Sequence, residues 1–275
     1  MQIGRSERVA VMPQVALEAL RKCSDSDASP KDLEKVLAAD PGLSARVIKL
    51  ANCPLYTTGA EVTTVSGAVQ VLGLRALKGV IYAAAYDEAI AHVPGAAGID
   101  RKAMWVHSLL TAFAAREMAP YFEGEQDKAY VAGLLHEIGL ITLARHAPEV
   151  VARILAAAEQ EARPIDEVAT DVLGFTAGDL GAVIAEKWRL GEHVAAAARY
   201  LTRPALDASD ITRPTTLSVA AGHVLALKAT AKPGQEVNAP ASLQERLAAF
   251  PQEELDSLME RANAGVQEVT SVFSK

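Results

Sequence analysis

Apolar residues in this chain recur three and four positions apart and almost never alternate. Leu33, Val36 and Leu37 make one such stripe, Leu43, Val47, Leu50 and Ala51 a second, and Leu255, Leu258, Met259, Ala262, Val266 and Val269 a third. That spacing lines one face of a helix, whereas a half-buried strand needs a period of two. The pattern restricts the chain to an all-α fold. With 50% hydrophobic residues among 275, it has the material for a sizeable core.

Local signals place the helices. Ser29-Pro30 followed by Asp32 reads as an N-cap, a proline in the first turn and an acidic third residue, and Asp40-Pro41 repeats the device. The helix opened by Asp40 ends near Asn52, in a loop punctuated by Pro54 and Gly59, where Asn52 is expected to satisfy backbone groups. "SGAVQVLGLRALKGVIYAAAY" predicts two helices with a break around Gly73, stopping before the Pro/Gly-rich stretch 92–98. Asp100 caps a helix carrying Trp105 and His107, and helices are predicted over 127–144, 149–162, 165–173, 178–189, 192–201 and 214–230. Three regions result: an N-terminal helical subdomain at 1–95, a helical bundle at 96–230, and a linker with a C-terminal amphipathic helix at 231–275.

The net charge of −7, with both signs scattered, offers no basic face to a phosphate backbone and disfavours nucleic-acid partners. No stretch has the length of a signal sequence or of a membrane span, so a cytoplasmic protein with no membrane partner is expected. Cys23 and Cys53 lack metal-ligand spacing and read as packing residues. Trp105 and Trp188 read as core anchors, and His92, His146 and His193 as solvated imidazoles near helix ends.

The chemistry concentrates in "VAGLLHEIGL", residues 131–140, where His136 and Glu137 interrupt an apolar run. His136 shares a helical stripe with Ala129, Ala132, Gly133 and Leu140, and His107 shares one with Ala103, Leu110 and Ala114. Both therefore face inward, on helices expected to be neighbours. With Glu137 they offer three ligands to a divalent ion and leave a fourth position for water. The plainer alternative is that each imidazole donates one hydrogen bond to a backbone carbonyl and does nothing else.

"GLLHEIG" resembles the signature of the HD phosphohydrolase superfamily. The fuller resemblance is to its HDOD branch, the HD-related output domain. It rests on "LAADPGLSARVIKLAN" followed by Cys53 and Pro54, "VTTVSGAVQVLG", Trp105 with His107, "AYVAGLLHEIG" and "FTAGDLGAVIAEKWRL", and runs from about Met12 to Leu227. It implies an HD-like helical bundle with a packed N-terminal helical subdomain, working in bacterial signal transduction through a protein partner and without catalysis.

In the superfamily a His, an adjacent His-Asp pair and a distant Asp bind metal. His107 and His136 match the first two positions, but Glu137 replaces the Asp. Thr176 stands where many relatives carry a histidine, and its pairing with Asp179 as a capping box accounts for it. "AARYLT" lacks an expected His-His pair, and only Gly222 and His223 are available where the late acidic ligand falls. That inventory is short of a two-metal site. The resulting expectation is a vestigial cleft lined by His107, His136 and Glu137, with no metal, no cofactor and no catalytic residue, where a small ligand gates binding of a signalling protein. Two alternatives accompany it. One is a metal-dependent phosphohydrolase acting on nucleotides or cyclic dinucleotides through the same three residues. The other is a DNA-binding regulator through residues 33–52, with Ser44, Arg46, Lys49 and Asn52 on an exposed recognition face.

Overall fold

The computed structural model describes residues 12–273 apart from 24, 26, 27, 55, 57–60 and 233–235, and among these it contains helices and no strand. Gly59 and residues 233–235 of the expected linker lie outside the described residues. Contacts group the described chain into two units, one of residues 12–89 with 264–273 and one of residues 90–263.

The first unit holds α1 (Gln14–Cys23), α2 (Pro30–Leu37), α3 (Pro41–Ala51) and most of α4 (Val65–Ala91). Its helices start where the caps predict. The Ser29 hydroxyl accepts from the Asp32 amide at 3.3 Å while the Asp32 carboxylate accepts from the Ser29 amide at 3.0 Å, a reciprocal box at the head of α2. Asp40 accepts from the Leu43 amide at 2.9 Å and opens α3. The expected break is present inside α4, at Gly73, whose φ of 68° suits a residue without a Cβ. Beyond it, Val80 through Tyr86 are all buried. α4 is the one described helix long and apolar enough to cross a membrane, and half of its most apolar window is buried inside the protein.

Three of the four α3 residues named for the DNA-binding alternative make contacts within this unit. The Ser44 hydroxyl donates to the Leu37 carbonyl at 2.7 Å, Arg46 pairs with Glu88 of α4 at 2.7 Å, and Asn52 donates to the Val62 carbonyl at 2.6 Å while accepting from its amide at 2.8 Å. Only Lys49 of the four is exposed. Asn52 thus does what its position predicted, closing the loop after α3.

The second unit is built on α5 (Arg101–Met118), which packs against α6 (Gln126–Leu135) and, further along the chain, α12 (Arg213–Thr230). Between these lie α7 (Ile138–His146), α8 (Pro148–Glu161), α9 (Ile165–Leu173), α10 (Ala177–Trp188) and α11 (Glu192–Tyr200). Asp100 caps α5 by accepting from the Lys102 and Ala103 amides. Trp105 and Trp188 are buried as expected. The predicted linker is shorter than its composition suggested, because α13 (Ala241–Ala248) buries Leu243 and Leu247 and packs against α12. α14 (Gln252–Phe273) starts in this unit, where it buries Leu258 and Ala262, and its residues from 264 on belong to the first unit, where Val266 and Val269 are buried.

Two glycines set the helix spacing around α5. A Cβ on Gly133 of α6 would lie 2.9 Å from Ala112 Cα and 3.1 Å from the Thr111 carbonyl oxygen. One on Gly222 of α12 would lie 2.6 Å from Ala115 N and 2.9 Å from the same Thr111 oxygen. Both helices therefore approach the segment Thr111–Ala115 at backbone-to-backbone range, which no larger residue allows.

Candidate functional site

The single helix predicted over 127–144 is two. α6 ends at Leu135 and α7 begins at Ile138, with His136 and Glu137 forming the turn between them. The cause is tertiary. Gly133 locks α6 onto α5, while Gly139 seats α7 on the backbone of Ala177 and Gly181 in α10, where a Cβ would lie 2.6 Å from Gly181 N. The two halves are docked on different helices and cannot stay collinear. On an unbroken helix neighbouring side chains diverge by about 100°, but the turn lets His136 and Glu137 enter the same cleft.

His107 reaches that cleft from α5, one turn before Thr111, and His223 reaches it from α12, directly after Gly222. His107 Nε2 lies 3.2 Å from His223 Nδ1, which lies 3.2 Å from His136 Nε2. The ring centroids form a near-equilateral triangle of 5.0, 5.1 and 5.4 Å. Glu137 Oε2 sits beside it, 3.9 Å from His136 Nε2 and 4.0 Å from His107 Nε2. The His136 side chain is fully buried, while His107 and Glu137 keep 14% and 22% of theirs exposed toward the cleft.

Hydrogen bonding assigns the His136 tautomer. Its Nδ1 is 2.6 Å from the Gly133 carbonyl oxygen, which can only accept, so Nδ1 carries the proton and the Nε2 lone pair points into the cluster. Burial, followed by the nearby His107, pushes the His136 pKa from 6.5 to about 3, the Gly133 hydrogen bond opposing. Burial, followed by His136 and His107, likewise pushes His223 to about 3, with Glu137 opposing. Desolvation disfavours the charged imidazole, so both rings are neutral at pH 7 and available as ligands.

The cluster forms the floor of a cavity of about 1330 Å³. α5 contributes Lys102 to the walls, α9 contributes Asp166, and the end of α11 contributes Arg199 with Thr202 and Arg203 after it. Thr176 lies on the cavity but is engaged in the capping box that its sequence predicted, its hydroxyl accepting from the Asp179 amide at 3.0 Å.

His107, His136 and Glu137, the three residues singled out from sequence, are thus brought together. His223 was missing from that set. It had been noted only as standing where an acid was expected, yet it is the third convergent imidazole, within 4.8 Å of the other two. A signal for it existed: like His136, it is a polar ring in an apolar helix beside a glycine that admits a neighbouring backbone.

The HDOD domain family model matches residues 9–204 of the chain. Solved structures agree in fold. A protein of Shewanella amazonensis SB2B, provisionally named a phosphohydrolase, superposes with a TM-score of 0.73 at 24% identity, covering 98% of this chain and 96% of that one. One from Marinobacter aquaeolei VT8, provisionally named a signal transduction protein, gives 0.71 at 22% identity over 96% of this chain and 59% of that one. An HDOD domain protein of unknown function from Geobacter sulfurreducens gives 0.67 at 22% identity over 96% and 87%. An uncharacterised protein of Treponema pallidum is 25% identical over 202 residues, a match spanning 71% of this chain and 38% of that protein's length.

Proposed function

The chain belongs to the HDOD family, and we propose that it acts as a non-catalytic bacterial signal-transduction module that binds a protein partner, with a ligand in the cleft gating the encounter. The donor inventory of the cleft floor carries this reading. Among the described residues one group of three metal-capable side chains converges, namely His107, His136 and His223. In-line phosphoryl displacement on the two-metal plan needs a second ion with its own donors. Thr176 is held by Asp179, and "AARYLT" brings no imidazole. The signal-transduction name of the Marinobacter structure is in keeping with this role.

One segment joins the cleft lining to an exposed apolar surface. Arg199, Thr202 and Arg203 line the cavity, and the chain runs from them straight into the loop 204–212, where Leu206 is 57% and Ile211 64% exposed. The loop is pinned from beneath. Asp207 is buried and accepts from the hydroxyls of Thr212 at 2.9 Å and Thr216 at 2.6 Å. A ligand bearing on 199–203 therefore acts on a fixed surface carrying two exposed apolar side chains, the composition that a protein interface uses at its centre.

The test is capture from extract of the native cell with the full chain as bait, alongside the double variant Leu206→Ser/Ile211→Ser. Both positions are exposed, so the variant should melt within about 0.5 kcal/mol of the parent while losing the signalling protein that the parent recovers. Manganese- or iron(II)-dependent turnover of a cyclic dinucleotide, nucleotide or phosphodiester, abolished by both His107→Ala and Glu137→Gln, would overturn the proposal in favour of a hydrolase.

A further inference from the structure

We infer that α9 is a lid over the histidine cleft, hinged at residues 162–164 and at Gly174, latched by Thr202, and able to open while the bundle beneath it stays folded. The inference goes beyond the signalling role and does not depend on it.

α9 is a lightly held wall of the cavity. It places Ile165, Asp166, Thr170 and Asp171 on the lining, yet of its nine residues only Val168 and Ala169 are buried. Those two join Ile154 and Ala158 of α8 in a small apolar cluster, with Val150, Ala157 and Leu173 packed around it. Among the described helices, α8 is the only one against which α9 packs broadly. α10, next in the chain, is held differently: it packs on both α7 and α11 and buries six of its twelve residues. Local opening costs whatever burial and hydrogen bonding hold in place, so α9 stands at the low-stability end of this unit.

Two residues in the left-handed region bound the helix. Ala162, which caps α8, has a φ of 51°, and Gly174, which caps α9, a φ of 77°. A Cβ on Gly174 would meet nothing within 4 Å, so the chain can turn there without collision. Hinges are element-terminal positions of this kind, where a few torsions absorb the movement of a whole element. The polar ties at the base of α9 are exposed ion pairs: Arg163 meets Asp171 at 2.7 Å, Glu161 at 3.0 Å and Glu167 at 3.6 Å. Water and salt screen such pairs, and they resist opening little.

The latch comes from another wall of the cavity. The Thr202 hydroxyl, 36 residues on in the chain, donates to the Asp166 carboxylate at 3.1 Å. Thr202 belongs to the segment 199–203 that runs into the loop 204–212, so the closed lid is tied to the same stretch of chain that carries Leu206 and Ile211. Ile165 lines the cavity while 46% exposed. A guest with an apolar flank therefore buries that side chain when the lid is down, and favours the closed position.

The test is hydrogen–deuterium exchange of the full chain, read by mass spectrometry, with no ligand or partner added. Amides of residues 169–173 should exchange at least about 100-fold faster than those in the middle of α5 and α10. Thr202→Val keeps the size of the side chain and removes its hydroxyl, at an exposed position where circular dichroism should show an intact fold. It should speed exchange in α9 about 2- to 10-fold, the weight of one side-chain hydrogen bond, and leave α5 and α10 at parent rates. Because Thr202 lies outside α9, a change confined to α9 reports the latch and not the helix's own stability. Protection of α9 equal to that of α10 overturns the lid. So does an α9 rate that Thr202→Val leaves unchanged, or one that rises only together with the rates of α5 and α10.

Discussion

Replacing Gly222 with alanine tests whether helix contact or helix propensity governs this fold. On an isolated helix the change stabilises by about 1 kcal/mol, because alanine loses less backbone freedom than glycine. In the protein the new methyl lands 2.6 Å from Ala115 N and 2.9 Å from both Ala115 Cα and the Thr111 carbonyl oxygen. All three are backbone atoms of α5 with no rotamer to yield, so α12 must retreat toward ordinary contact. Overpacking of this kind costs about 1–3 kcal/mol, and three rigid contacts place it at the upper end, about 3 kcal/mol. The net expectation is a loss of about 2 kcal/mol, which for a chain of this size lowers Tm by about 4–8 °C. The retreat also carries His223 away from His107 and His136, which now lie 3.2 Å from its Nδ1. Differential scanning calorimetry reads the loss of stability. Gly95→Ala is the control, since nothing lies within 4 Å of its added methyl and the change should stay within about 1 kcal/mol. A Gly222→Ala protein that melts at or above the parent would refute the close-approach argument.

Two further outcomes follow from buried polar groups. His136 and His223 protonate near pH 3 when folded, whereas in the unfolded chain they protonate near their ordinary value of about 6.5. Unfolding therefore takes up protons throughout that window, and stability present above about pH 6.5 is lost as pH falls toward 3. Each ring contributes about 1 kcal/mol per pH unit; urea midpoints at pH 7.5, 6 and 5 should show the decline, and His136→Gln/His223→Gln should flatten it. Asp207→Ala strands the buried Thr212 and Thr216 hydroxyls and should cost about 2–3 kcal/mol. An unchanged melting curve would show that the loop does not depend on that carboxylate.

The helix starts were legible in advance because capping is local. Ser29, Asp40, Asp100 and Thr176 each accept from amides two or three residues on, so a four-residue window holds the whole interaction. α13 went unseen for the complementary reason. Its eight residues sit beside prolines, and only Leu243 and Leu247, once buried, distinguish it from linker. A short helix draws its stability from packing, which a local window does not contain.

The sequence alone determined that this chain is all-α, that His107, His136 and Glu137 share one cleft, and that its motif blocks belong to the HDOD pattern. Periodicity and residue type carry that much, because they act within a turn or two of helix. The tertiary structure alone decided that the helix bearing His136 breaks there, that the polar face of α3 is spent on its own fold, and that His223, 87 residues after His136, completes the imidazole triangle. Each depends on which backbone meets which glycine across the bundle, and that contact energy is shared between segments distant in sequence.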